Sequence, residues 1–326
     1  MKLEEQIFGI KNEADFVNTS LQVFQFQYQN NEVYQKFCKL LNIQPQHVKT
    51  LQDIPFLPID FFKNHQILSS SKNIEETFTS SGTTGNLTSK HLVTNLNLYE
   101  KSFIKAFEGF YGAIEEYVTL ALLPAYLERK GSSLIYMANH FIHKSKHPES
   151  GFYLDELEEL ATLLKKLEQE GKKVLLIGVS FALLDLVERE QFQLKNTIVM
   201  ETGGMKGRRK EMIRTELHEI LKEGFGVDQI HSEYGMTELL SQAYSKGEGV
   251  FNCPNTMKLL IRDTEDALSY VAEGKTGGIN VIDLANLNSC SFIATQDLGK
   301  KIGENSYEIL GRFDHSDVRG CNLMVL

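Results

Sequence analysis

The stretch Thr79-Ser80-Ser81-Gly82-Thr83-Thr84-Gly85 brings five hydroxyls and two glycines together in seven residues. Glycines supply the positive-φ positions that turn successive backbone N–H groups into one concavity, and the hydroxyls add donors without bulk. The guest suited to such a nest is an oligophosphate. It is not a Walker loop, because no Gly-Lys-Ser/Thr closes it. A solvated Ser/Thr/Gly loop has the same composition, so this stretch alone leaves both readings open.

Tyr234-Gly235-Met236-Thr237-Glu238 sets a carboxylate beside a hydroxyl on a glycine-containing turn. Glu238 suits Mg²⁺, which takes one or two carboxylates plus phosphate oxygens. Thr237 can donate to a phosphate, and Tyr234 offers a flat face to a base. The competing reading is a strand-to-helix turn with Thr237 as N-cap. In Thr295-Gln296-Asp297-Leu298-Gly299, Asp297 can accept from two ribose hydroxyls or make an Asx turn. Gly311-Arg312 offers either a functional cation or a surface charge. Cys321 has Gly320 and Arg319 before it, and a nearby guanidinium favours the nucleophilic thiolate. The apolar Leu323-Met324-Val325-Leu326 that follows can instead pin it as a buried thiol.

These groups need a frame. Residues 117–123 form an apolar run stopped by Pro124, which predicts a strand. Over 154–169, Leu154, Leu157, Leu160, Ala161, Leu164 and Leu167 share one face of an amphipathic helix. A strand follows at 174–179, a short helix at 181–189, a strand at 197–200, a helix at 208–223 and a short strand at 229–231. Such alternation implies a mainly parallel sheet, whose ligands sit beyond the carboxyl ends of its strands. The loops Glu201-Thr202-Gly203-Gly204 and 233–238 fall at those ends. From about 251 onward the texture changes to short β-like runs, at 258–261, 278–282, 291–294 and 307–310, and antiparallel pairing is expected.

Upstream, residues 1 to about 50 carry helix-type apolar spacing. The stretch Ile54-Pro55-Phe56-Leu57-Pro58-Ile59-Asp60-Phe61-Phe62-Lys63 reads as a packed, extended connector, since each proline keeps the preceding residue out of the helical region. The expected class is α/β. A helical lead-in (1–70) precedes a core of mainly parallel sheet layers (71–245), a smaller β-rich part (246–310) and a short tail (311–326).

Composition narrows the function. A hydrophobic content of 42% and a charged content of 24% are those of a globular chain. The net charge of −9 argues against nucleic acid or an anionic membrane as the main partner. Cys38, Cys253, Cys290 and Cys321 are scattered without a Cys-x-x-Cys, so neither a disulfide framework nor a structural zinc is expected. The polar start is not a signal peptide, and no apolar run approaches the ~20 residues of a membrane span. A cytoplasmic protein is expected.

Taken in order, these segments resemble the adenylate-forming superfamily. Residues 79–85 are similar to its phosphate loop, Gly203-Gly204 to its glycine pair beside adenine and 234–238 to its Tyr-Gly-x-Thr-Glu motif. Asp297 resembles its ribose-binding aspartate, and Gly311-Arg312-x-Asp314 its hinge motif. The proline stretch and Phe251-Asn252-Cys253-Pro254 narrow the resemblance to acyl-protein synthetases of the bacterial fatty-acid reductase (LuxE-type), with phenylacetate–CoA ligases as relatives.

The resemblance implies that residues 1–310 form an adenylate-forming large domain. ATP·Mg²⁺ and a carboxylic acid, a fatty one in that family, would give an acyl-adenylate and pyrophosphate, and a thiol would then take the acyl group. It implies catalytic roles for Thr237, Glu238 and Cys321, the last as acyl acceptor, with Mg²⁺ on Glu238. It assigns nucleotide contacts to Thr79, Ser80, Ser81, Gly82, Thr83, Thr84, Gly85, Gly203, Gly204, Tyr234, Gly235, Met236, Asp297 and Arg312. The implied partners are a small carboxylic acid and an acyl-reductase or acyl-carrier protein. An acyl- or aryl-CoA ligase and an ATP-binding subunit without turnover are the rival readings. Apolar lining expected around 123–141 and 179–184 suits an aliphatic or aromatic acyl group. Two departures stand out. The lysine after the phosphate loop is displaced to Lys90, and the superfamily's C-terminal domain, with its catalytic lysine, is expected to be reduced to a short tail.

Overall fold

The computed structural model describes residues 2–80, 88–124, 131–205, 209 and 212–312. Helices α1 (Leu3–Ile7), α2 (Glu13–Asn30) and α3 (Glu32–Leu40) open the chain. Asn12 starts α2 by accepting from Asp15 N at 2.9 Å, and Asn31 starts α3 by accepting from Tyr34 N at 2.9 Å. Each satisfies an amide that a helix start leaves without a partner. Helical spacing gives way to 3₁₀ turns at Pro45–His47 and Leu51–Asp53, earlier than the sequence suggests. The proline stretch is a packed connector. Its strand β1 (Leu57–Pro58) lies parallel to Ile293 and Ala294, and α4 (Phe61–Asn64) follows. A hairpin of β2 (Glu76–Thr79) and β3 (Lys90–Val93) brackets the Ser/Thr/Gly stretch.

The next elements alternate between helix and strand, and those at 96–111, 133–145 and 151–153 add to the ones the sequence reading expects. They are α5 (Leu96–Tyr111), β4 (Val118–Leu122), α6 (Ser133–Ser145), β5 (Gly151–Tyr153) and α7 (Leu157–Gln169). Then come β6 (Val174–Val179), α8 (Ser180–Arg189), β7 (Thr197–Thr202), α9 (Arg214–Phe225) and β8 (His231–Tyr234). Strands β5-β4-β6-β7-β8 pair in parallel in that order. Every residue of β6 is buried, which is why its sequence is a continuous apolar run and not an alternation.

Three boundaries differ from the sequence reading. Helix α7 begins at Leu157, because Leu154 is taken into the turn after β5. Helix α9 begins at Arg214 and not at 208; Arg209 is drawn aside to Asp185 and Glu188 of α8. The strand expected at 229–231 is His231–Tyr234, since pairing with β7 starts only where His231 meets Met200.

The remaining strands are β9 (Ala243–Ser245), β10 (Val250–Asn252), β11 (Met257–Arg262), β12 (Thr276–Asp283), β13 (Phe292–Gly303) and β14 (Ser306–Arg312). Their mutual pairing is antiparallel, as expected, and β9 joins β8, so the sheet continues as β8-β9-β10-β14-β13-β12-β11. One hydrophobic core lies between the parallel strands and α5 to α9. It takes in Leu123, Met137, Ala138 and Phe141, and Val179 with Phe181 to Leu184, from the two stretches that the sequence reading singles out. The other packs α1 to α3 and the connector against β11 to β13. Among the described residues no helix is long and apolar enough to cross a membrane.

Candidate active site

Tyr234 is the last residue of β8, and its hydroxyl donates to Asp297 Oδ2 at 2.7 Å. The Tyr234 ring packs edge-on against Phe251, 6.2 Å between centroids. Asp297 lies within β13, not in an Asx turn. Its antiparallel neighbour is Arg312, and Leu298 faces Gly311, so strand pairing keeps this polar segment extended. Behind it, Arg262 donates to Ile279 O at 2.7 Å, Asn280 Oδ1 at 2.9 Å and Thr295 O at 2.6 Å, tying β12 to β13. Burial pushes the Asp297 carboxyl up, while the Tyr234 hydroxyl and the Arg312 and Arg262 charges draw it back.

The turn after Tyr234 leads to β9 and not to a helix, which removes the N-cap reading of Thr237. It is fixed from below. Asp283 accepts from Leu240 N at 2.6 Å, Ser241 N at 3.0 Å and Ser241 Oγ at 2.6 Å, and Asn286 Nδ2 donates to Glu238 O at 2.8 Å. His91 of β3 places Nδ1 2.8 Å from Thr237 O and Nε2 2.9 Å from Asn286 Oδ1. The far arm of the β2–β3 hairpin is thus fastened to the turn. No motif spacing in the sequence announces His91, Asp283 or Asn286.

The neck of that hairpin loop is closed by Ser80 N donating to Ser89 O at 3.1 Å and Ser89 N donating to Ser80 Oγ at 2.9 Å. Thr79 N donates to Gly131 O at 2.8 Å. Glu238, 5% exposed, is hydrogen-bonded to the Ser89 side chain. Burial raises its pKa; Ser89 and the Arg312 charge lower it, and the Asp297 charge raises it further. Glu238, Asp297, Arg312, Tyr234 and the loop neck therefore form one constellation.

Gly203 and Gly204 follow β7, the strand beside β8, and Gly203 takes φ 72°, which a side chain would strain. Beneath them Glu201 accepts from Ser180 Oγ at 3.2 Å and lies 3.5 Å from Arg214 Nε and 3.6 Å from His218 Nε2. Burial opposes its charge, but His218 and Arg214 outweigh it and hold the carboxyl below its usual range. Met236 packs partly against the second core. Ser81, Gly82, Thr83, Thr84, Gly85, Asp314 and Cys321 lie outside the described residues. The other cysteines are buried, and burial pushes Cys38 and Cys290 up to about 12 and raises Cys253 as well. Thiols so placed are poor nucleophiles.

The family model of acyl-protein synthetase, LuxE, matches residues 10–102 and 126–326. The chain is 25% identical over 327 residues to the long-chain-fatty-acid–luciferin-component ligase of Vibrio harveyi, covering 92% of this chain and 84% of that protein. The Aliivibrio fischeri protein of the same name is 23% identical over 334 residues, covering 93% and 85%. Among solved structures, ATP-bound MatB from Rhodopseudomonas palustris is similar with a TM-score of 0.57 at 17% identity, over 74% of this chain and 49% of that one. The chain thus spans about half of MatB's length. An open conformation of 2-hydroxyisobutyryl-CoA ligase, in complex with 2-HIB-AMP and CoA, gives 0.68 at 13% identity over 94% and 72%. At such identities the structural likeness concerns the fold.

Proposed function

The chain belongs to the acyl-protein synthetase, LuxE, family, and from that premise we propose that it activates a fatty acid with ATP and passes the acyl group to a protein cysteine. Its fold is that of adenylate-forming ligases. The observation that carries the reading is the meeting of Asp297, Tyr234, Arg312 and Glu238 beside the neck of a Ser/Thr/Gly loop.

In the first step a carboxylate oxygen of the acid attacks the α-phosphorus of ATP and the bond to the β-phosphate bridge breaks, releasing pyrophosphate and leaving an acyl-adenylate. In the second a thiolate adds to the acyl carbonyl and the bond to AMP breaks, giving a thioester and AMP. The protein's part in the first step is positioning and charge placement. Asp297 accepts from the ribose diol, Tyr234 offers its ring to the base, and Gly203-Gly204 lets the base approach the backbone. The Ser/Thr/Gly loop and Thr237 hold the phosphates, and Arg312 adds a cation beside Asp297.

The residues fit Mg²⁺ as a companion of the nucleotide. Among the described residues no group of three His, Cys, Asp or Glu could hold a metal, so a cation here would combine Glu238 with phosphate oxygens, the coordination Mg²⁺ favours. Bound there, it would neutralise phosphate charge. Glu238, buried and acted on by Asp297, would then be drawn into its ionised form.

Cys321 is the proposed acyl acceptor, supported by the inert settings of Cys38, Cys253 and Cys290. The onward partner is an acyl-reductase or acyl-carrier protein. The deciding measurement is pyrophosphate release across a series of carboxylic acids, with CoA present or absent. Acid-dependent release together with acyl label on the protein is expected. Release that needs CoA points to a CoA ligase, and ATP binding without release to a non-catalytic subunit; either overturns the proposal.

A further inference from the structure

Arg214 opens helix α9 and has no part in the chemistry above. Its guanidinium reaches three strands at once. Nε lies 3.5 Å from Glu201 Oε1 on β7, Nη1 donates to Ile309 O of β14 at 2.5 Å, and Cζ stands 5.0 Å from the centre of the Phe251 ring on β10. Strand β7 belongs to the parallel half of the sheet, β10 and β14 to the antiparallel half. Arg214 is a bracket between the two.

Each contact leads to a residue on the proposed nucleotide side. Glu201 stands two residues before Gly203 and is 5% exposed, and a carboxylate so buried needs its partners in fixed places. Phe251, under the guanidinium, meets the Tyr234 ring edge-on. Ile309 is the most telling. β10 pairs with β14 only from Ser306 to Glu308, so Ile309 is the first residue past the end of that ladder. On the other side Ile309 pairs with Gly299 and Gly311 with Leu298, which leaves Leu310 as the extra residue of a β-bulge. The bulge sets the register in which Arg312 stands opposite Asp297. Arg214 thus holds the carbonyl at the foot of the bulge. A planar fork that can serve two oxygens and a ring together is a property of arginine that lysine lacks.

We propose that Arg214 is a positioning residue for ATP, holding Arg312 and the Gly203-Gly204 loop at the spacing the nucleotide needs. The inference rests on the function proposed above and adds to it a residue that touches no reacting atom. Without the guanidinium, Ile309 O loses its donor and Glu201 a neighbouring cation. Strand β14 is then free to shift at the bulge, and Arg312 shifts with it. The effect falls on the nucleotide and spares the acid.

The test measures the Kd of ATP by calorimetry, with Mg²⁺ and without acid, and then the KM values in pyrophosphate release. Arg214→Met keeps an unbranched apolar side chain and removes the charge. It is expected to raise Kd and KM for ATP by roughly tenfold and to leave KM for the acid unchanged. In an Arg312→Ala background the same substitution is expected to add far less, because its main route to the nucleotide is gone. A structural arginine would only lower the active fraction, and so kcat, at unchanged Kd and KM. That result overturns the inference, as does full additivity with Arg312→Ala. If Arg214→Met fails to fold, Arg214→Lys decides: it keeps the charge and loses the fork, so a raised Kd for ATP supports the inference and an unchanged one overturns it. Wild-type protein that binds ATP but releases no pyrophosphate with any acid overturns the proposed function alone, since the Kd values still read Arg214. No binding of ATP overturns both.

Discussion

Tyr234 and Asp297 are joined by a 2.7 Å hydrogen bond although three strands, β9, β10 and β14, lie between theirs in the order of the sheet. At about 4.8 Å per strand, a flat sheet would hold β8 and β13 roughly 19 Å apart. The antiparallel half must therefore curl back over the end of the parallel half, and the hollow so formed is the side on which we propose the nucleotide binds. Tyr234→Phe removes the donor and leaves Asp297, already raised by burial, without its closest partner. Losing a hydrogen bond to a carboxylate costs about 1.5–3 kcal/mol, roughly a tenfold to hundredfold rise in KM for ATP. Asp297→Ala should raise the same constant. Steady-state kinetics in which only the KM for the acid moves would place Asp297 with the acyl group.

Glu238 tests the metal. Glu238→Gln keeps the shape of the side chain and its place beside Ser89 while removing the charge, so the fold should survive. Adenylate formation should fall by about a thousandfold or more, since tenfold is ~1.4 kcal/mol and a lost metal ligand costs several times that. Chelation of divalent cations should silence the wild type in the same assay. Near wild-type pyrophosphate release by the variant would show that Glu238 serves the turn alone.

His91 gives a pH dependence of stability. Both ring nitrogens face oxygens, which favours the charged ring, but burial outweighs them and pushes its pKa down to about 4 from an ordinary 6.5. Between those values the unfolded chain binds more protons than the folded one. The stability is therefore fully present above pH 6.5 and is lost as pH falls towards 4, at about 1.4 kcal/mol per unit for one group. His231 is shifted in the same direction and adds to the loss. Urea unfolding at pH 8 and pH 5 should show a smaller difference for His91→Gln than for the wild type. Equal differences would show that His91 has no share in acid sensitivity.

The centre of the parallel half is legible in the sequence because β4 and β6 are buried on both faces: an unbroken Val174-to-Val179 run admits few other readings, whereas the partly buried β5 has no such run. The antiparallel half was readable as short β runs, but β13 was not readable through Asp297. Gln296-Asp297-Leu298-Gly299 has the composition of a turn and is held extended by β14, with β12 pairing at Leu298 and Gly299. The same limit hid the supports of the site. Asp283 and Asn286 are more than forty residues from the backbone groups they hold, and His91 lies further still from Thr237, so no local spacing could announce them. Tyr234, Glu238 and Asp297 were visible as chemistry; their meeting was visible only as a resemblance.

Cys321 is the remaining test. Nine residue steps separate it from Arg312, an extended reach of up to ~30 Å, ample to bring a thiol to an adenylate made beside Asp297. The three cysteines of the described fold are buried and have raised pKa values, so an acyl group on any of them would require the core to open. Incubation with ATP and labelled acid should therefore give one thioester, released by neutral hydroxylamine and mapped by peptide analysis to Cys321. Cys321→Ser should abolish that label while pyrophosphate release continues, because the first half of the reaction needs no thiol. Cys253→Ser should keep the label. A thioester that persists in Cys321→Ser, or that maps to Cys253, would make the acceptor a group that the fold must expose during turnover.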